Sequence, residues 1–181
     1  MTLPTDWPRV FRGLLPHAAC IDIETCHWNG PIAVVGIFRP KEGEIEVTQL
    51  VRGQNLSVET LRAALAGVRL LITFNGNSHD IPKLCEQFPD VIPPWIVSLD
   101  LYEIAKQLNL GASLKVLEAQ FEIERPEWQR RRKHIAVRLW KLYAERGVLR
   151  ALESLLDYNK EDTQNLYFLA EKFARIATET R

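Results

Sequence analysis

From residue 17 onward the hydrophobic positions predict strands first and helices later. His17 to Thr25 (HAACIDIET) is apolar and β-branched, with two acids set into it. Ile32 to Pro40 (IAVVGIFRP) is a continuous apolar run, the pattern of a buried strand. Trp28-Asn29-Gly30 between them is a turn signal. Glu44 to Arg52 alternates Ile45, Val47, Gln49 and Val51 against mostly polar neighbours. Three strands joined by short turns predict an antiparallel meander. The pattern then changes. Ser57 to Gly67 reads as a helix, with Ser57 as N-cap, a stripe of Leu61, Ala64 and Leu65, and Gly67 as its stop. Its capping box looks incomplete, because Thr60 stands where Glu or Gln would close it. Leu70 to Asn75 and Trp95 to Leu99 read as strands. Asp80 to Phe88, with Pro82 in its first turn, and Leu101 to Leu110 read as helices. Alternating strand and helix implies right-handed parallel crossovers. From Ser113 the chain reads as helical, punctuated by Pro126 and Gly147. Residues 1–16 are Pro-rich and read as an irregular lead-in to one domain over residues 17–181. The expected class is α/β: a five-stranded mixed sheet, three strands antiparallel and two parallel, with flanking helices and a helical C-terminal part.

Composition narrows the class. The 181 residues are 46% hydrophobic and 25% charged, too apolar for disorder as the main state. No apolar stretch approaches the ~20 residues of a membrane span, and Asp6, Pro4 and Pro8 stand where a signal peptide would be apolar. A membrane partner is therefore not expected. The 23 basic and 23 acidic residues cancel, so nucleic-acid binding must come from a local patch. Cys20, Cys26 and Cys85 are odd in number and widely spaced, which fits a reducing, cytoplasmic setting better than a disulfide framework.

The acids are where chemistry enters. Asp22 and Glu24 are two apart on the first strand, so they share a face, roughly 6.6 Å apart along it. Two carboxylates there are costly to bury unless paired or metal-bound. Taken alone the pair is weak, since it also suits a solvated strand end. Asp80 stands where the next helix begins and could merely cap it. Tyr158 and Asp162 are four apart and share one helix face, which a mixed-charge surface helix would also provide.

DIET at 22–25, NGNSHDIPKL at 75–84 and YNKED at 158–162 resemble, in order and spacing, the three motifs of the DEDD superfamily of ribonuclease H-like 3′–5′ exonucleases. The tyrosine-type proofreading domain of family B DNA polymerases is the nearest pattern, and the resemblance spans roughly residues 17–173. It implies a ribonuclease H-like fold with Asp22, Glu24, Asp80 and Asp162 as metal ligands. It places Tyr158 beside the attacking water. It further implies two divalent cations, Mg²⁺ or Mn²⁺, and phosphodiester hydrolysis at single-stranded or frayed nucleic-acid ends, with DNA favoured. His79 departs from the Phe usual in that motif. It reads as a loop histidine or a substrate contact.

The chemistry suits the residues. Phosphodiester hydrolysis builds negative charge on the attacking and leaving oxygens, and hard cations held by carboxylates offset it. Arg130, Arg131, Arg132 and Lys133, with Arg125 and Arg138 nearby, offer phosphate contacts, and Trp128 and Trp140 offer stacking surfaces. The same run also reads as a solvated face beside core tryptophans. His17, Cys20, Cys26 and His27 match no zinc-finger spacing. Asp100 ends an apolar strand and takes no metal role in this reading. Two alternatives remain open: a non-catalytic ribonuclease H-like nucleic-acid-binding module, and an endonuclease on the same fold.

Overall fold

The computed structural model describes residues 6–41, 44–111, 113–130 and 134–179. The chain runs through α1 (Trp7–Leu14), a 3₁₀ turn (Leu15–His17), β1 (Ala18–Thr25), β2 (Ile32–Lys41) and β3 (Glu44–Val51). Then come α2 (Val58–Ala64), β4 (Leu70–Thr73), α3 (Asp80–Gln87), β5 (Val97–Asp100) and α4 (Leu101–Gln107). The helical part comprises α5 (Leu114–Gln120), α6 (Glu127–Arg130), α7 (Ile135–Arg146) and α8 (Leu149–Glu179).

The five strands form one sheet in the order β3-β2-β1-β4-β5. β1, β2 and β3 pair antiparallel, while β1–β4 and β4–β5 pair parallel. This is the mixed sheet expected from the hydrophobic pattern. β1 sits at the centre because both its faces are apolar. Ala18 and Cys20 join a core with α1, α4, α5 and α8, while Ala19, Ile21 and Ile23 join one with α2 and α3. A third cluster packs α7 and the start of α8 on β2 and β3, and includes Trp140.

Two registers position the site. β4 pairs with β1 only as far as Cys20↔Ile72. Asp22 and Glu24 therefore project past the carboxyl end of β4, where open α/β sheets place their ligands. On the other side Asp22 lies opposite Gly36 of β2, and α8 crosses just there. A Cβ on Gly36 would overlap Asn159 and Thr163, so glycine permits the close approach.

Three local expectations change. Residues 1–16 are not irregular throughout: Trp7 and Phe11 of α1 are buried in the same core as α8. The Pro-rich composition hid one helix, because Pro8 falls in its first turn, where proline is tolerated. The capping box of α2 is complete. Ser57 N donates to Thr60 Oγ1 at 3.0 Å and Thr60 N to Ser57 Oγ at 3.2 Å, since a hydroxyl can accept as a carboxylate would. β5 begins at Val97, leaving Trp95 71% exposed outside it.

Candidate metal centre

Asp22 and Glu24 reach the site from β1, and Asp162 reaches it from the middle of α8. Each offers one carboxylate oxygen, and the three lie within 4.8 Å of one another. The apolar stripe of α8 (Leu152, Leu155, Leu166, Leu169, Phe173) is interrupted by buried Asn159, Asp162, Thr163 and Asn165. Within that polar block Asn159 and Thr163 face β1 and β2, while Asn165 turns to Glu118 of α5. Asn159 Nδ2 donates to Asp22 Oδ2 at 3.0 Å and to Asp22 O at 3.3 Å. It also shares its Oδ1 with Gln49 Nε2 at 3.1 Å.

Asp80 stands at the start of α3 and lies outside that three-acid group. Its Oδ1 accepts from the backbone N–H of Ile23 at 3.1 Å, between the two acids of β1. So Asp80 holds β1 instead of capping its own helix. The loop before it is fixed by Asp100, whose Oδ1 accepts from Asn75 N at 2.7 Å and whose Oδ2 accepts from Asn77 N at 3.0 Å. Asp100 also caps α4 through Tyr102 N. Its role is to shape the loop that delivers Asp80.

The acids repel one another. Burial, then Glu24, Asp162 and Asp80, push the Asp22 carboxyl well above the carboxylate range, against the Asn159 hydrogen bond. Burial, then Asp162 and Asp80, do the same to Glu24, although Lys115 and Arg125 oppose them. Burial raises Asp80 to about 6, despite the Ile23 hydrogen bond and His79. Burial also raises Asp162, and Arg125 pulls it back. Crowded, desolvated carboxylates of this kind gain most from a multivalent cation. An all-oxygen donor set matches hard ions such as Mg²⁺ or Mn²⁺.

Tyr158 lies one turn before Asp162 on α8, as the spacing predicts. Two cations lie near its ring, Lys115 Nζ at 5.0 Å and the Arg125 guanidinium at 5.7 Å from the centroid. Burial, then Asp162, Glu24 and Asp22, raise the Tyr158 hydroxyl, so it stays protonated at neutral pH.

Glu24 and Tyr158 line a cleft of about 550 Å³ together with Trp28, Asn75, Ser78, His79 and His134. Trp28 is 84% exposed, and its ring meets His134 edge-on at 6.3 Å. The turn that presents it is clamped by buried Lys83 of α3. Lys83 Nζ donates to Asn29 O at 3.1 Å, Asn29 Oδ1 at 3.2 Å and Gly30 O at 2.9 Å. His79 is exposed on the same cleft wall.

The basic patch fares differently. Arg131, Arg132 and Lys133 lie outside the described residues, and only the backbone of Arg130 is described, as the end of α6. Arg125 is no surface phosphate contact: it is buried and paired with Glu118 and Asp162. Of the two tryptophans, Trp140 is core and Trp128 is 40% exposed. The three cysteines are free. No helix among the described residues is long and apolar enough to cross a membrane. Sequence reasoning missed Asn159, Glu118, Lys115 and Trp28. Asn159 was signalled by its place three residues before Asp162, on the same helix face. Glu118 gave no signal, because its partners are distant in sequence.

A family model described as RNase_H superfamily matches residues 19–174, the span that holds all four acids and Tyr158. No curated protein matches the chain.

Proposed function

The chain belongs to the RNase H superfamily, and on that premise we propose that it is a metal-dependent 3′–5′ exonuclease acting on single-stranded or frayed nucleic-acid ends. The observation that carries the reading is the meeting of Asp22, Glu24 and Asp162 within 4.8 Å, with Asp80 held against β1 beside them. These four acids are the residues that would hold two divalent cations, Mg²⁺ or Mn²⁺. Bound there, such ions supply Lewis-acid stabilisation of negative charge on the attacking and leaving oxygens of a phosphodiester.

The chain's own groups do the rest. Asn159 and the Ile23 amide orient Asp22 and Asp80 before substrate binds. Tyr158, kept protonated by burial and by the surrounding carboxylates, orients water by a hydrogen bond and does not remove its proton. The cleft wall at Trp28 offers a ring face on which an unpaired base can stack. A recess of about 550 Å³ is in the size range of sites for small organic groups, which supports capture of a strand end. Nucleic acid is the partner this reading assigns. DNA is the expected substrate, from the likeness of the three motifs to proofreading domains.

The test uses labelled single strands of DNA and RNA, with 3′ ends free or blocked, in Mg²⁺, Mn²⁺ or chelator. Mononucleotides released only from free 3′ ends, and only with metal, are expected. Internal cuts in blocked strands would make it an endonuclease, and binding without cleavage a non-catalytic module.

A further inference from the structure

Asp162 has a partner that no motif accounts for. Arg125, between α5 and α6, donates from Nη2 to Asp162 Oδ1. The guanidinium is anchored elsewhere at the same time. Nε donates to Glu118 Oε2 at 2.7 Å, Nη2 to Glu118 Oε1 at 2.6 Å, and Nη1 to Gln129 Oε1 at 3.1 Å. Glu118 Oε1 also accepts from Asn165 Nδ2 at 2.9 Å, on the same helix as Asp162. The Arg125 and Glu118 side chains are only 1% and 2% exposed.

Such a fork cannot swing away without leaving Glu118 as an unpaired buried charge. Glu118 offsets part of the guanidinium charge, and Asp162 receives the rest of it together with a directed hydrogen bond. That bond occupies Oδ1 and leaves Oδ2 unengaged by the guanidinium. Asp22 has an equivalent arrangement, with its Oδ2 held by Asn159.

We propose that Arg125 is a positioning residue for the metal centre: anchored on Glu118, it holds Asp162 by Oδ1 so that Oδ2 is ordered for a divalent cation before the cation binds. The proposal rests on the metal-dependent reading above. It adds the α5–α6 segment to the site, 37 residues away from Asp162 in sequence. Partners that orient a ligating group typically govern 10- to 100-fold in metal affinity.

The test is calorimetric titration of the full chain with Mn²⁺ alone, with cleavage rates measured against Mn²⁺ concentration. Arg125→Lys keeps a positive charge opposite Glu118 but loses the fork. Glu118→Gln combined with Arg125→Gln removes both charges at similar volume. Both are expected to weaken Mn²⁺ binding about 10- to 100-fold. The Arg125→Lys rate at saturating Mn²⁺ should stay within about threefold of wild type, since Asp162 itself is intact. A merely structural role would lower that saturating rate as well. Mn²⁺ binding by Arg125→Lys equal to or tighter than wild type overturns the proposal and leaves the metal-dependent reading standing. Wild type that binds no Mn²⁺ overturns both. If the double variant does not fold, Arg125→Lys decides alone.

Discussion

The acids of the site are held together against their mutual repulsion, and in chelator that balance can be read by titration. Asp80 is raised from an ordinary carboxylate value to about 6, chiefly by burial. Between pH 4 and 6 the folded chain keeps a proton that the unfolded chain has released, so stability falls as pH rises through that window. The difference amounts to about 3 kcal/mol. Asp80→Asn keeps an oxygen for the Ile23 amide and removes the charge. Its melting-temperature advantage over wild type in chelator should therefore grow from pH 4 to about 6 and then level off. An advantage independent of pH would contradict the account. Asp22 and Asp162 differ in a related way, because Arg125 offsets the charge of Asp162 while Asp22 has a neutral amide. At pH 7 in chelator, Asp22→Asn should raise the melting temperature more than Asp162→Asn does. The reverse order would show that Arg125 does not compensate Asp162. Tyr158→Phe keeps nearly the same volume and loses only the hydroxyl. If that hydroxyl orients water, turnover falls roughly 10- to 1000-fold with Mn²⁺ affinity unchanged. Wild-type turnover in single-turnover cleavage would make the tyrosine a packing residue.

Among the elements, β1 and α8 carry the site, and their contact depends on one missing side chain. Gly36 of β2 leaves room for Asn159 and Thr163 of α8. Gly36→Ala forces that helix away from the sheet, with an expected cost of about 1–3 kcal/mol. It also disturbs the Asn159–Asp22 hydrogen bond, so denaturant melts and Mn²⁺ affinity should both worsen. A variant as stable as wild type would mean that the contact is slack. Much of this level was legible in the sequence. Period-two and period-3.6 hydrophobic patterns placed the five strands and the long helical C-terminal part, and Tyr158 and Asp162 shared a face by spacing alone. What stayed hidden was set by contacts distant in sequence. Glu118 and Arg125 are charged residues in a stretch that reads as helical from the sequence, and nothing local says that they are buried against α8. Trp7 and Phe11 sit among prolines, and only the tertiary core shows that they anchor a helix there. Thr60 closes its capping box by hydroxyl chemistry that a Glu-or-Gln rule overlooks.

At the scale of the whole molecule, the sheet places acids from three distant segments at one end of β1. Asp22 and Glu24 lie past the end of β4, Asp80 enters from the β4–α3 loop braced by Asp100, and Asp162 comes down from α8. The fold absorbs the repulsion among them through Arg125, Asn159 and the Ile23 amide, which is the expected form of a scaffold kept ready for cations. The central claim is that this cluster hydrolyses phosphodiester bonds at strand ends with divalent metal. It is tested most directly by single-turnover cleavage of a 3′-labelled single strand, comparing wild type with Asp22→Asn at matched Mn²⁺. The account predicts metal-dependent release of the terminal mononucleotide by wild type, abolished by chelator and by Asp22→Asn although that variant is at least as stable. Cleavage by Asp22→Asn at the wild-type rate, or none by wild type at saturating Mn²⁺ on either DNA or RNA, would contradict it.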